Sequence, residues 1–344
     1  MSLAQPAPPG VTLVSAEPRP HRPEILPLLG LAAVAGIGWW WNLGLPAPAY
    51  LLGVAAEVAP LGILVVATTL LLAGGGLDLA LGGLALAAAG IAARVPALAG
   101  VAPCIGALAG LAAAGLLGAI DGAMVTLTRR PAWLVTGSML LVYAGLSAIL
   151  LALPSIAEAT PARWAVLDWH SPGLSLDLAG SPVAVPALPL ALWLWLGLLV
   201  LTPWLLHATA GGNRILALGA SPAAAKVLGL GILRTRVGLF AAAGTVAGLA
   251  GLLRPSLQGP IQPLDELATV GQALAAAIIG GALGLRRREA FLGGALALLL
   301  LALVGHWVAS AGSPPGVAML AFGAALLVAL AWSARRRNIA MEVV

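Results

Sequence analysis

Long apolar runs dominate this chain, and short clusters of Pro, Gly and charged residues separate them. A run such as 292–301 is apolar on every face, without the alternation of a half-buried strand, and this pattern predicts helix. A helix needs about 20 apolar residues to cross a bilayer. Dividing the runs at their breaking residues predicts about ten spans, at 25–43, 50–73, 77–93, 100–120, 131–153, 188–206, 236–254, 267–284, 290–310 and 316–334. The predicted fold class is an all-α polytopic membrane protein with about ten transmembrane helices.

The predicted third span, 77–93, leaves two alternatives open. Gly82, Gly83 and Gly90 interrupt its apolar run, so it forms either an ordinary span or a re-entrant or broken helix. This choice decides whether the number of spans is even, and therefore whether the two termini lie on the same side.

Composition supports the membrane assignment. The chain is 61% hydrophobic and 8% charged, whereas soluble domains are about 45–50% apolar and about 25% charged. We expect a disordered cytoplasmic tail over 1–24, without a cleaved signal peptide, one transmembrane permease domain over 25–334, and a cytoplasmic tail over 335–344. The single cysteine, Cys104, excludes an intrachain disulfide.

The net charge of +5 is explained by membrane orientation. With ten spans and the N-terminus inside, one face collects fourteen Lys and Arg residues and the other face only Arg94, Arg163 and Arg254. This division is what the positive-inside rule expects, so both termini are predicted to be cytoplasmic. The basic character is thus topological, and we expect no nucleic-acid partner.

Two loops are long enough to have a role of their own. The external loop, 154–187, is expected to form a modest cap. The cytoplasmic loop, 207–235, contains Ser221 followed by Pro222 and an Ala/Lys/Leu run that ends at Gly229. This order predicts an N-cap, a Pro at the first helical position and a short helix. The helix is interpreted as a docking element for another protein, and a plain interfacial connector is the alternative.

Catalytic and nucleotide-binding motifs are missing from the sequence. It has no H-E-x-x-H, G-x-S-x-G or P-loop pattern, and its four His are scattered. No catalytic, cofactor-binding or metal-binding residues are therefore predicted. If transport is ATP-driven, a partner chain must bind ATP and Mg²⁺ and hydrolyse the nucleotide. His306 is expected to be a hydrogen-bonded packing residue.

Two acidic residues near the spans are candidates for function, because carboxylates are costly inside a membrane. Asp78 lies between glycines, at Gly75 and Gly76 before it and Gly82 after it. It is interpreted either as part of a broken-helix hinge near the permeation path or as a cap of the third span. Asp121 is placed at the end of the fourth span, where an interfacial anchor is the preferred interpretation and a pathway role is the alternative.

The order of motifs along the chain resembles the membrane permease of ribose-type ABC importers, the family that serves monosaccharides and related solutes. Gly75-Gly-Leu-Asp-Leu-Ala-Leu-Gly82 is similar to the family pattern G-G-I-D-L-S-V-G, and the segments 118–122 and 131–137 resemble G-x-x-N-G followed by P-x-F-I-V-T-L-G. Residues 212–230 resemble the family's ATPase-docking loop, and 267–281 resemble its E-L-D-A-I-A-A-V-V-I-G-G stretch. The resemblance covers about residues 50–300 in the right order.

This resemblance implies an importer permease that forms the path for a small polar solute and works by alternating access. It implies as partners ABC ATPases, a second permease chain (identical or sister), an external solute-binding protein and membrane lipid, in the bacterial cytoplasmic (inner) membrane. The pathway or hinge residues would be Gly75, Gly76, Asp78, Gly82 and Asp121. The ATPase-coupling residues would be Ser221, Ala223, Ala224, Ala225, Lys226, Leu228 and Gly229.

The sequence departs from the family pattern at several positions. Ala80 stands where the family has Ser, Asp121 where it has Asn, and the run 285–289 replaces a second glycine-rich turn. These departures leave open the solute and whether two identical chains pair. The alternatives to an importer are a stand-alone secondary carrier or channel, and a membrane scaffold that does not transport.

Overall fold

The computed structural model describes residues 48–152, 174–178, 181–185, 188–258, 266–281 and 289–310, together with scattered residues between 312 and 331. The predicted first span and both predicted tails lie outside these residues. Ten helices and two strands are bounded within them: α1 Pro48–Ala73, α2 Leu81–Ala99, α3 Pro103–Thr128, α4 Ala132–Ala152, β1 Leu174–Leu178, β2 Ser181–Val185, α5 Leu190–Ala208, α6 Ala210–Ala220, α7 Pro222–Val227, α8 Ile232–Gln258, α9 Glu266–Ile279 and α10 Ala290–Ser310.

Seven of these helices are long and apolar enough to cross a membrane. They are α1, α2, α3, α4, α5, α8 and α10, which confirms the all-α polytopic fold class. Within the predicted tenth span, 316–334, the structure describes several residues between 316 and 331, and these residues are helical.

The predicted eighth span, 267–284, is too long. The helix α9 ends at Ile279, and its apolar part is Ala268–Ile279. The chain turns at Gly280 and Gly281, where the φ of Gly281 is +94°. Gly280 packs so closely on the backbone of Gly293 that a side chain there would overlap it. At 1.5 Å per residue α9 is roughly 21 Å long, which is shorter than the hydrocarbon core.

The third predicted span is a continuous helix, α2, and the break in the chain lies before it at residues 74–80. The glycines inside α2 serve close packing. A Cβ at Gly83 would fall 2.9 Å from Tyr143 Cβ, and one at Gly90 would fall 3.1 Å from Leu150 Cβ, both on α4. Small residues let helices approach closely where no hydrophobic force drives their association.

The core of the bundle is formed by α1, α2 and α8, and α3 packs along both α2 and α8. Gly118 of α3 and Gly244 of α8 face each other, so that a Cβ on Gly244 would fall 2.6 Å from the carbonyl oxygen of Ala114. The opposite sides of α3, α4 and α5 expose large apolar side chains such as Leu116 and Val200, as lipid-facing helices do.

The loop 154–187, predicted to be external, contains an antiparallel hairpin of β1 and β2, with Leu174 opposite Val185 and Leu178 opposite Ser181. The hairpin was not predicted, although the alternation Leu-Ser-Leu-Asp-Leu at 174–178 is the pattern of a strand. The rest of the predicted cap lies outside the described residues.

Candidate functional site

The chain breaks between α1 and α2 at residues 74–80, and glycines permit the break. Gly75 has a φ of +72°, a conformation that residues with a Cβ rarely adopt. The N–H of Gly76 donates to the carbonyl of Leu71 at 2.8 Å, which closes the last turn of α1. Gly82 is buried in the first turn of α2. A chain reversal thus joins two core helices.

Asp78 lies in this break and is almost fully buried. Its Oδ1 accepts a hydrogen bond from the N–H of Ala80 at 2.7 Å, where α2 begins. The next N–H, that of Leu79, donates to Thr136 Oγ1 on α4 at 3.1 Å. Asp78 therefore lies in the break and its hydrogen bond turns the chain towards α2, but the N-cap of α2 is Ala80 and no side chain caps this helix. The interpretation of Asp78 as a helix cap is wrong, and the hinge role stays a prediction.

Asp121 lies inside α3 and not at its end. The helix runs on to Thr128, and Asp121 is 0% exposed. Its Oδ1 accepts a hydrogen bond from Tyr143 Oη at 2.8 Å. The interpretation as an interfacial anchor is wrong, because an anchor must reach the interface, whereas this carboxylate is enclosed by α3 and α4.

Asp78, Asp121 and Tyr143 thus form a buried polar cluster between the break, α3 and α4. The second carboxylate oxygen of each Asp has no hydrogen-bond partner among the residues that the structure describes. Incompletely paired buried acids are unfavourable for stability and mark functional positions in membrane proteins. Tyr143 and Thr136 were missed in the sequence, because only the tertiary fold brings α4 against the break.

The segment between α5 and α8 has more structure than its sequence predicted. Residues 207–208 belong to α5, 210–220 form a helix, α6, and 232–235 belong to α8. Thr209 caps α6 through a hydrogen bond from the N–H of Gly212 to its Oγ1 at 3.0 Å. The predicted loop 207–235 is therefore shortened to the connection 209–231, which contains α6 and α7.

The predicted short helix is confirmed as α7. Ser221 is its N-cap, with Oγ accepting from the N–H of Ala224 at 3.2 Å, and Pro222 takes the first position. Gly229 follows the helix with a φ of +76°, and the N–H of Leu230 donates to the carbonyl of Ala225 at 3.0 Å. Capping at both ends holds this single turn in place.

Most of the candidate coupling residues lie on the exposed side of α7. Ala223, Ala224, Lys226, Leu228 and Gly229 are exposed, and Ser221 is half-buried. Ala225 is 1% exposed, so it is removed from the candidate contact surface, because a side chain buried against its own chain offers nothing to a partner. Val227, which the sequence did not single out, is 88% exposed.

The α6 helix packs directly on the break. A Cβ at Gly75 would fall 3.2 Å from Gly219 Cα, and one at Gly74 would fall 3.1 Å from Ile215 Cγ2. On the opposite side, a Cβ at Gly76 would fall 3.0 Å from a ring carbon of Phe240 on α8. The α6–α7 connection, the break and the start of α8 therefore form one packed unit.

A small pocket lies between α1, α2, α8 and α9, with space of about 70 Å³ for water-sized molecules. Its polar lining consists of Arg254, Thr269 and Gln272, and Pro60, Leu61 and Leu64 are part of its apolar wall. These residues were not recognised as a site in the sequence, because they come from four different helices and only packing brings them together.

No group of three or more His, Cys, Asp or Glu that could hold a metal ion occurs among the described residues. His306 Nε2 pairs with Glu57 Oε2 at 3.0 Å, joining α10 to α1. The pair is partly exposed, and the Tyr50 ring contacts His306 edge-on with the ring centroids 6.3 Å apart.

Seven described helices of membrane length, with an exposed capped helix between two of them, are the features of a multi-pass membrane protein. The family model described as "Branched-chain amino acid transport system / permease component" matches residues 50–331. The chain belongs to this family of permease components, which are not themselves enzymes. It is a multi-pass transmembrane permease of the ABC importer type.

Curated relatives support the same class. The fructose import permease of Rhizobium meliloti is 24% identical over 276 residues, which cover 80% of this chain and 75% of that protein. The ribose import permease of Escherichia coli K12 is 26% identical, and the matched part covers 50% of this chain and 51% of that protein. The chain therefore spans about half the length of that relative. The autoinducer 2 import permease of Klebsiella pneumoniae is 32% identical, and the matched part covers 48% of this chain and 44% of that protein. No solved structure matches the chain at a significant level.

Proposed function

We propose that this chain forms the membrane path for a sugar or a related small polar solute, and that separate ABC ATPases drive its transport. The partner ATPases bind ATP and Mg²⁺, an external solute-binding protein delivers the solute, and a second permease chain, identical or sister, completes the path. The relatives named above are import permeases for fructose, ribose and autoinducer 2. This kinship supports the bacterial cytoplasmic membrane as the location.

The observation that carries the proposal is the exposed surface of α7. Val227, the last residue of the six-residue helix α7, is 88% exposed, and Leu228, its C-cap residue, is 76% exposed. A helix of six residues is unstable alone, so its caps and the buried Ala225 hold it folded, while Val227 and Leu228 are mostly left uncovered by the described part of the chain. We assign this surface to the partner ATPase.

The packing of α6 offers a route from the ATPase to the solute path. A displacement of α7 moves α6, and α6 contacts the break at Gly74 and Gly75. The break carries Asp78 and begins α2, a core helix that also lines the cavity. A movement at the docking surface can therefore reach the cavity through rigid, packed elements.

The positively charged residues support an orientation with this segment inside. Arg214, Lys226, Arg234 and Arg236 all lie on or beside the α6–α7 connection. Cytoplasmic loops carry the excess of Lys and Arg. The docking surface and both termini are therefore assigned to the cytoplasmic face.

Co-purification tests the proposal. Tagged wild-type chain isolated from its native membrane is expected to bring down an ABC ATPase, identified by mass spectrometry. The double variant Val227→Asp, Leu228→Asp is expected to lose the ATPase while it elutes as a monodisperse protein, since both side chains are exposed.

The matched control is Leu98→Asp, which makes the same change at an equally exposed residue, 78%, at the other end of α2. This variant should retain the ATPase. Absence of an ATPase from the wild-type sample would refute the importer and favour a stand-alone carrier or a scaffold. Retention by the double variant would refute α7 as the docking element.

A further inference from the structure

We propose that the turn between α3 and α4 is a binding site for an anionic phospholipid. In this site Arg129 and Arg130 bind the headgroup phosphate, and the outward faces of the two helices contact the acyl chains. The site lies on the outer surface of the bundle, so it does not depend on the transport function proposed above.

The turn lies at the level of the lipid headgroups. The helix α3 has 26 residues, which at 1.5 Å per residue is roughly 39 Å, whereas the hydrocarbon core of a bilayer is about 30 Å thick. A helix of this length that crosses the core ends among the headgroups. Trp133 lies in the first turn of α4 and is 58% exposed, and tryptophan is enriched at this level of a membrane.

The outward faces of α3 and α4 lead up to the turn as apolar surfaces. Both helices pack more extensively on α2 than on each other, so their opposite sides are left to lipid. The exposed apolar residues on these sides include Leu116, Ile120, Met124 and Leu127 on α3, and Leu134 and Leu141 on α4. On α3 a spacing of three or four positions keeps them on one face of the helix. Acyl chains that lie along this surface have their headgroups beside the turn.

The turn carries positive charge that the described part of the chain does not neutralise. Arg129 and Arg130 are exposed, and neither forms an ion pair or a side-chain hydrogen bond with another residue that the structure describes. Asp121, two turns earlier on α3, is buried and hydrogen-bonded to Tyr143. A guanidinium can bind a phosphate group through two parallel hydrogen bonds. The charge and the geometry of an anionic headgroup therefore complement this turn.

The backbone of Arg129 supports a role for its side chain. Arg129 is the C-cap of α3 with a φ of +54°, and in the part of the chain that the structure describes no other residue except glycine has a positive φ. Glycine is the usual residue in this conformation at a helix end, because a Cβ disfavours it. The chain thus places an arginine where the backbone favours glycine, as expected if the guanidinium binds a ligand.

The position of the turn favours lipid over the partner ATPase as the occupant. The surface assigned to the ATPase is α7, in the connection between α5 and α8. Arg129 and Arg130 instead continue an apolar surface that runs along two membrane-length helices. An ATPase that docks from water cannot cover such a surface, whereas a phospholipid contacts both the apolar faces and the charged turn.

Lipid titration followed by native mass spectrometry tests the site. The full chain is purified in detergent and titrated with phosphatidylglycerol, or with phosphatidylcholine that carries the same acyl chains. Each arginine near anionic lipid raises the affinity roughly fivefold, so the wild type should bind its first phosphatidylglycerol about 25-fold more tightly than phosphatidylcholine. The variant Arg129→Gln, Arg130→Gln should bind the two lipids alike. The control Arg214→Gln, Lys226→Gln removes the same charge from exposed residues of α6 and α7 and should keep the preference.

A second variant separates lipid binding from a structural role of Arg129. Arg129→Gly places the favoured residue in the left-handed conformation. Its midpoint of heat unfolding in detergent without added lipid should therefore be no lower than that of the wild type, while its affinity for phosphatidylglycerol should fall roughly fivefold. A lower midpoint with an unchanged affinity would show that the arginine is structural and would overturn the proposal.

Other results would also overturn it. These are equal binding of the two lipids by the wild type, a preference for phosphatidylglycerol that persists in the double variant, and an equal loss of preference in the control. Glycerol 3-phosphate at the same concentration should not displace phosphatidylglycerol, and displacement would identify a free phosphate as the ligand. A double variant that keeps the lipid preference but no longer co-purifies with the ATPase would assign the two arginines to the ATPase surface.

Discussion

The hydrogen bond between Tyr143 and Asp121 is predicted to stabilise the junction of α3, α4 and the helix break. Tyr143 Oη donates to Asp121 Oδ1 at 2.8 Å, and both side chains are buried. The change Tyr143→Phe removes only the hydroxyl group and keeps the ring in place. It leaves the carboxylate without the only side-chain hydroxyl donor that the structure describes for it.

The expected cost follows from the hydrogen bond to a buried acid. Hydrogen bonds to charged groups contribute about 1.5–3 kcal/mol, and an unpaired buried acceptor retains its desolvation penalty. At about 2–3 °C per kcal/mol for a chain of this size, Tyr143→Phe should lower the midpoint of heat unfolding by roughly 3–9 °C.

The assay is heat unfolding of the detergent-purified chain, followed by the loss of its monodisperse peak in size-exclusion chromatography. The chain's other tyrosine gives a matched control. Tyr50 is 40% exposed, so Tyr50→Phe should shift the midpoint by no more than about 1.5 °C, because surface substitutions change stability by about 0.5 kcal/mol or less.

A double-mutant cycle with Asp121→Asn measures how much the negative charge strengthens this hydrogen bond, because the amide oxygen of Asn still accepts from Tyr143 Oη. If the hydrogen bond carries the effect, Tyr143→Phe should cost less in the Asp121→Asn background than in the wild type. Equal shifts for Tyr143→Phe and Tyr50→Phe, or full additivity with Asp121→Asn, would refute the reasoning.

Three further predictions concern glycines and an ion pair. Gly244→Val should prevent recovery of a monodisperse protein, because its Cβ would fall 2.6 Å from the backbone of α3, whereas Gly238→Val, which has open space, should be recovered normally. Gly229→Ala should lower the free energy of unfolding by about 1–2 kcal/mol in heat unfolding. The cause is the positive φ alone, since no atom lies within 4 Å of the new methyl group, and an unchanged stability would contradict this prediction. Glu57→Gln should cost less than about 1 kcal/mol in the same assay, because its partner His306 is partly exposed, and a loss as large as that of Tyr143→Phe would contradict a surface-type ion pair.

The sequence determined the membrane class, most of the described helices and the short capped helix α7. Apolar runs of membrane length have no other stable solution than helix in a bilayer, because every backbone N–H and C=O must be satisfied within the segment. The pair Ser221-Pro222 and the glycine at 229 predicted α7 correctly, since caps act within one turn and need no tertiary contact.

Only the tertiary structure decided the length of α9, the burial of Asp121 and which residues line the cavity. The helix α9 ends where Gly280 meets the backbone of another helix, and Asp121 is enclosed because α4 brings Tyr143 against α3. Arg254 and Gln272 lie 18 positions apart in sequence on two helices and share a cavity only through packing. The underlying reason is that apolar membrane helices carry little sequence information about their neighbours, because lipid and protein contacts are equally apolar and small-residue packing selects the partners.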